Sequence, residues 1–213
     1  MKSFLLAFLF CISFFTSSAQ DFEGRIFLIS NSLYDTLYYS YTVKGHNIKI
    51  DEFNRYKKLT KSLIINTETQ SIIAINPAKK LYTKLPPIET IEQPDEQGFD
   101  VVKTTNFKEI NGYKCNLWRV RNKELNTDVT YWVATDKFRF FDDLLHTLHS
   151  HEKYLSFFLK LPEVEGALPM VSIERTMLRE EKNSFTVIDI DNIKIKDSQF
   201  QIPHDYKYFN AKY

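Results

Sequence analysis

The alternation of apolar and polar residues that marks a half-buried strand runs through most of this chain. In the first half it predicts strands over Phe22 to Ser30, Leu33 to Lys44, His46 to Asp51, Ser62 to Thr67, Gln70 to Asn76 and a short Lys80 to Leu85. The breaks at Asn31-Ser32, Lys44-Gly45, Thr67-Glu68-Thr69 and Asn76-Pro77 carry turn residues, so strands adjacent in sequence should pair as an antiparallel meander. Pro86 to Gly98, rich in Pro, Glu and Gln, reads as an exposed loop. Beyond it come Val101 to Ile110, Tyr113 to Arg121 and Asp128 to Thr135, with Asn111-Gly112 as the hairpin turn between the first two.

From Asp136 to about Leu159 the apolar period changes to three-to-four. Phe140, Phe141, Leu144, Leu145, Leu148, Leu155, Phe158 and Leu159 gather on one side of a helical wheel, which predicts an amphipathic helix, interrupted near Ser150 and stopped by Pro162. Strands return over Leu168 to Leu178 and Ser184 to Ile195, before Phe200-Gln-Ile-Pro203 and a Tyr-rich tail.

The N-terminus departs from both periods. Lys2, the apolar run Phe4 to Phe15, and small residues at Ser17 and Ala19 make residues 1–19 a secretory signal peptide. The run is short for a bilayer span and no later segment approaches one, so the mature chain is expected to lack a transmembrane helix. Residues 20–213 have the length of one domain, with 86–98 as a loop and 136–160 as a helical insertion. Export places the protein in the periplasm or outside the cell, an oxidising compartment in which Cys115 is left without a partner. A lone thiol in such a pattern is read as a small buried hydrophobe. The formal charge of +1 falls to zero when Lys2 leaves with the signal, which argues against a nucleic-acid partner. Twelve Tyr and 18 Phe against five Gly reinforce the reading of sheet.

Many strands and one strongly amphipathic helix suggest an α+β fold, a curved antiparallel sheet whose concave face the helix covers. The order of Phe22-Glu-Gly, Ser62-Leu-Ile-Ile-Asn-Thr-Glu-Thr-Gln, Lys79-Lys-Leu-Tyr, Ile110-Asn-Gly-Tyr-Lys-Cys with Trp118, Tyr131-Trp-Val-Ala-Thr-Asp, Leu168-Pro-Met and Phe200-Gln-Ile-Pro resembles an uncharacterised family of secreted bacterial proteins related to the LolA/LolB lipoprotein carriers. The resemblance covers nearly the whole mature chain. It implies an open β-half-barrel, helices as a lid over an apolar concavity, and a periplasmic location. None of the matched pieces is a catalytic signature.

Candidate chemistry is sparse. Asp142, His146 and His149 share a helical face in the manner of metal ligands, while His151 falls off it. Lys153 lies nearly in register with them, opposite the apolar stripe, so a solvated face is the reading adopted and no metal or cofactor is expected. There is no Gly-x-Ser-x-Gly elbow, Gly-rich phosphate loop or His-Glu-x-x-His. The pairs Asp142-Asp143 and Asp189 with Asp191 read as solvated acids rather than a glycosidase pair.

Aromatic residues give the better lead. Trp118, Trp132, Phe140, Phe141, Leu144, Leu145, Leu148 and Phe158 are the candidate lining of an apolar pocket, with both tryptophans on one strand face and Tyr113, Cys115 and Tyr131 on the other. The expectation is therefore a non-enzymatic periplasmic binding or carrier protein that takes an apolar ligand, a lipid or an acylated protein, between sheet and helix. The alternative is an envelope interaction module with a filled core.

Overall fold

A computed structural model describes residues 21–86, 98–135, 137–148 and 153–210. The expected signal peptide and most of the 86–98 loop lie outside the described residues.

The first meander is β1 (Gly24–Ser32), β2 (Thr36–Lys44), β3 (Asn47–Phe53), β4 (Leu59–Asn66), β5 (Ser71–Asn76) and β6 (Leu81–Leu85). Its turns close where side chains can cap them: Asn66 Oδ1 accepts from the Thr69 amide at 2.8 Å, and Asn76 Oδ1 from that of Lys79 at 3.0 Å. The second meander comprises β7 (Phe99–Ile110), β8 (Tyr113–Asn122), β9 (Thr127–Thr135), β10 (Ala167–Arg175) and β11 (Glu181–Asp191). Asn111 and Gly112 hold φ of 50° and 77°, as a two-residue hairpin turn requires. Helix α1 (Arg139–Leu148) and the single turn α2 (Lys153–Ser156) interrupt the hairpin between β9 and β10.

All the strands form one open sheet in the order β12-β6-β5-β4-β3-β2-β1-β11-β10-β9-β8-β7, where β12 is the short Lys207–Tyr208. Every pairing is antiparallel except that of β12 with β6. The architecture is thus mostly β rather than α+β, because the described helical residues are one ten-residue helix and two single turns before Ala167, against twelve strands. Curvature follows from connectivity. Strands β6 and β7 stand ten inter-strand steps apart, about 47 Å across a flat sheet. The chain from Leu85 to Phe99 reaches at most about 50 Å when fully stretched, so a flat sheet would leave this connection almost no slack, and curling of the sheet relieves it.

Register defines one continuous inner face. Tyr131, Ser172, Phe185, Leu28 and Tyr39 are linked by cross-strand pairing or lie along the same strand faces, and Ile26, Tyr41, Ile50 and Leu63 make a parallel row. Ile26, Val43, Ile48, Ile65, Val129 and Tyr131 on this face are fully buried.

The outer face of the first meander is covered by the C-terminal tail, which the sequence pattern did not predict. After β11 the tail is anchored by Glu23, whose carboxylate accepts from the Ile195 amide at 2.8 Å and from Lys194 Nζ at 3.0 Å. Asp197 then pairs with Lys44 at 2.5 Å, Asp205 with Lys80 at 2.7 Å, and β12 lies against β6 with the Tyr208 and Tyr82 rings 5.5 Å apart. Ile64, Ile75 and Ile195 are buried on this side.

On the outer face of the second meander, Asp128 is 8 % exposed and receives the forked guanidinium of Arg119, with Arg121 Nε at 3.5 Å. Burial pushes its carboxyl up, but the Arg119 hydrogen bonds and the two guanidinium charges outweigh this and hold it below the usual carboxylate range.

Two outcomes follow. A methyl group on Gly24 would stand 2.0 Å from the Asp191 carbonyl oxygen of the neighbouring strand, so Gly24→Ala should lower the melting temperature sharply, by roughly 1–3 kcal/mol or more of overpacking, as read by calorimetry. Asp128 contributes stability that is present above the unfolded pKa of about 3.9 and lost as pH falls through its lower folded pKa. Asp128→Asn should therefore melt below wild type at pH 7, with the gap closing in acid; an unchanged gap from pH 7 to strongly acidic buffer would show that the ion pairs do not act this way.

Candidate ligand site

The helical insertion lies in an enlarged β9–β10 loop, and its neck is tied at both ends. Lys137 (φ 61°), Glu163 (φ 53°) and Gly166 (φ 72°) turn the chain out of the sheet and back. The Phe138 amide donates to the Gly166 carbonyl at 3.2 Å, and Phe22 to Lys137 at 2.9 Å. Arg139 and Glu165 pair across the neck at 3.4 Å. Beyond it, Lys103 Nζ donates to the carbonyl of Pro162 and stands 4.1 Å from the centre of the Trp118 ring, where burial lowers its pKa.

Helix α1 turns Phe141, Leu144 and Leu145 into the core, each worth roughly 1.5–3 kcal/mol when fully buried. Phe158, in the short 3-10 turn Phe158–Lys160, connects helix to sheet: its ring lies 5.7 Å from that of Phe141 and 5.4 Å from that of Tyr131 on the inner face. Phe157 packs edge-on to Phe99 of β7 at 4.9 Å. Phe140 points to a different group, with Phe22 at 5.8 Å and Phe138 at 6.4 Å. Tyr113 joins that group through Phe138 at 5.3 Å.

The eight expected lining residues therefore divide. Phe141, Leu144, Leu145, Phe158 and Trp118 belong to the inner-face core, with Leu148 partly buried at the end of α1. Phe140 belongs to the neck. Trp132 does not share a face with Trp118. Trp118 is paired with Tyr131, and directly opposed residues point the same way, whereas Trp132 is paired with Leu117 on the outer face, under Lys108 Nζ at 4.3 Å. The loop between β8 and β9 sets that parity, and the sequence alone does not reveal it.

The inner face also carries polar groups that no local sequence pattern marks. Glu174 is buried and accepts from Asn183 Nδ2 at 2.9 Å; Ser172 Oγ, beside Tyr131, is buried without a hydrogen-bond partner among the described residues. On α1, Asp142 and His146 lie 3.8 Å apart with His146 exposed, as a solvated face requires. His149 and His151 lie outside the described residues. No group of three or more His, Cys, Asp or Glu able to hold a metal ion occurs among the described residues. No described helix is long and apolar enough to cross a membrane.

Solved structures with a similar fold include an uncharacterized conserved protein from Thermus thermophilus, at 6 % identity and a TM-score of 0.52 over 87 % of this chain and 88 % of that one. MucB in the MucA/MucB complex of Pseudomonas aeruginosa has 8 % identity and a TM-score of 0.49, over 88 % of this chain but only 58 % of MucB. A putative outer membrane lipoprotein-sorting protein domain from Vibrio parahaemolyticus has 8 % identity and a TM-score of 0.33 over 86 % and 90 % of the two chains. The likeness to the Thermus thermophilus protein concerns the fold alone. No curated protein sequence matches this chain. The chain belongs to the family described as a domain of unknown function, DUF4412, whose model matches residues 22–206.

Proposed function

We propose that this protein is a periplasmic carrier or binding protein that holds an apolar group, a lipid or the acyl chain of a modified protein, between the inner face of the sheet and α1. The observation that carries this reading is the helical insertion itself: an apolar helix face laid on the concave side of an open sheet, on a loop whose neck is fixed and whose removal breaks no strand pairing. Opening would exchange contacts of Phe141, Leu144, Leu145 and Phe158 for acyl chain, at about 0.8 kcal/mol per buried methylene. Ser172 offers a hydroxyl to a polar group at the ligand's end. Native mass spectrometry of protein purified without detergent should show a stoichiometric acyl-bearing adduct. Leu145→Glu should lose it while keeping the sheet's circular dichroism. A clean mass in the wild type that resists loading with fatty acids and phospholipids would overturn the reading. The continuous burial of these side chains would then favour the second reading, a non-catalytic envelope interaction module with a filled core.

The role is binding rather than catalysis in this proposal, and Cys115 supports it. The thiol is fully buried, and burial pushes its pKa up to about 11, so the nucleophilic thiolate is scarce at neutral pH. Native protein should leave Cys115 unmodified by an aromatic disulfide reagent, with one equivalent reacting on unfolding; rapid labelling of the native state would reopen the question of a nucleophile.

A further inference from the structure

We propose a second, outward-facing site, on the side of the sheet away from α1, for a compact amphiphile with an apolar body and a carboxylate head. Between β1, β2 and β3 the outer face carries a cleft of about 450 Å³, within the range of small-molecule sites. Its floor is low because Ser40 and Thr42 are the outward residues in the middle of β2. Larger side chains rise around them: Phe27 on β1, and Tyr38 and Phe53, which oppose each other across β2 and β3. A bulge adds one more wall. The pairing of β1 with β11 slips between Phe27 and Leu28, leaving Ile188 as the extra residue, 51 % exposed at the cleft edge.

The charge in this cleft selects the head group. Of seven arginines in the chain, Arg55, Arg119, Arg121, Arg139 and Arg175 each hold a carboxylate within 4.0 Å, and Arg179 is exposed. Arg25 alone is half-buried with no ion pair among the described residues, and it stands directly opposite Thr42 in the cleft. The acid in the lining, Asp51, is already neutralised by Lys49 at 3.0 Å and bonded by the Ser62 hydroxyl at 2.5 Å. A half-buried guanidinium with unused donors favours an anion with two oxygens. At the other end, roughly 13 Å along β2, Lys57 Nζ stands 5.6 Å from the Tyr38 ring centre. Its loop is held by Asn54, whose Oδ1 accepts from the Tyr56 and Lys58 amides at 3.0 Å each. The body of the ligand lies along β2 over Ser40, between the aromatic walls, and its head meets Arg25 and Thr42. Leu28 and Tyr39, whose register turns them to the inner face, also border the cleft, but none of Phe141, Leu144, Leu145 and Phe158, which pack under or around α1, lines it.

The test titrates decanoate, and neutral decanol beside it, into the mature protein and follows backbone amides by NMR. Saturable shifts at Ser40 and Thr42 are expected. Arg25→Gln should weaken decanoate by about tenfold or more, the loss of a charge-assisted bond, and leave decanol unchanged. Ser40→Leu, which fills the floor from an outward position, should weaken both without lowering the melting temperature. Shifts confined to residues under α1, such as Leu144 and Phe158, would overturn this site while leaving the carrier reading intact. Equal loss of both ligands in Arg25→Gln would overturn the assignment of the head group, and an unaltered response in both variants would overturn the site itself.

Discussion

The pairing of β1 with β11 is the contact on which the rest depends. It joins the first strand to one about 160 residues later and fuses two meanders, each built from neighbours, into a single sheet. Without it both meanders would expose an additional long edge, and the inner-face rows running from Leu63 through Ile26, and from Tyr131 through Leu28, would be cut. Gly24 is required at this seam because its neighbour's backbone comes too close for any side chain. Two locally paired halves are thus joined by one remote pairing, which carries a larger loop-closure cost than any hairpin within either half.

Once the seam is made, the two faces of the sheet acquire different covers. The inner face is apolar nearly throughout and takes α1 and the Phe157-Phe158 turn. The outer face is mixed: ion pairs around Asp128 solvate one half, while the tail covers the other by ion pairs at its joints and a few apolar contacts. Exposed pairs of this kind contribute little singly. The strap is therefore held by several small terms and leaves gaps beneath it, of which the Ser40 cleft is one.

Much of this was legible in the sequence. The eleven main strands, the Asn111-Gly112 turn and the apolar stripe of α1 follow from period and turn chemistry, which are local properties. What was not legible depends on pairs remote in sequence. Trp132 faces away from Trp118 because of a register that the β8–β9 loop sets. The tail lacks a clear period, since it binds through Glu23, Lys44 and Lys80, charges that look solvated until the strands bring them together. The outer cleft needs three strands and a bulge to exist, and none of its residues is unusual alone. One conspicuous helix masks the mostly β architecture in the sequence, because amphipathic periodicity is more visible than many short alternations.

The placement of the helix in a β9–β10 loop, rather than between strands of different meanders, has a mechanical consequence. Both ends of the insertion emerge from paired strands, Leu168 opposite Ala134 and Ala167 opposite Thr135, so no strand pairing depends on the contacts of the helix. Its anchors differ in kind. The neck bond from Phe138 to Gly166 is backbone and stays with the hairpin, whereas the contacts of Phe141 and Phe158 are apolar and can be matched by any hydrocarbon of similar area. The bond from Lys103 to Pro162 ties the far side of the insertion to the edge strand β7, over a tryptophan. A movable helix on such a mount would pivot between the neck and that lysine, so the edge strand, far from the seam, is where motion of the helix and access to the inner face would be coupled.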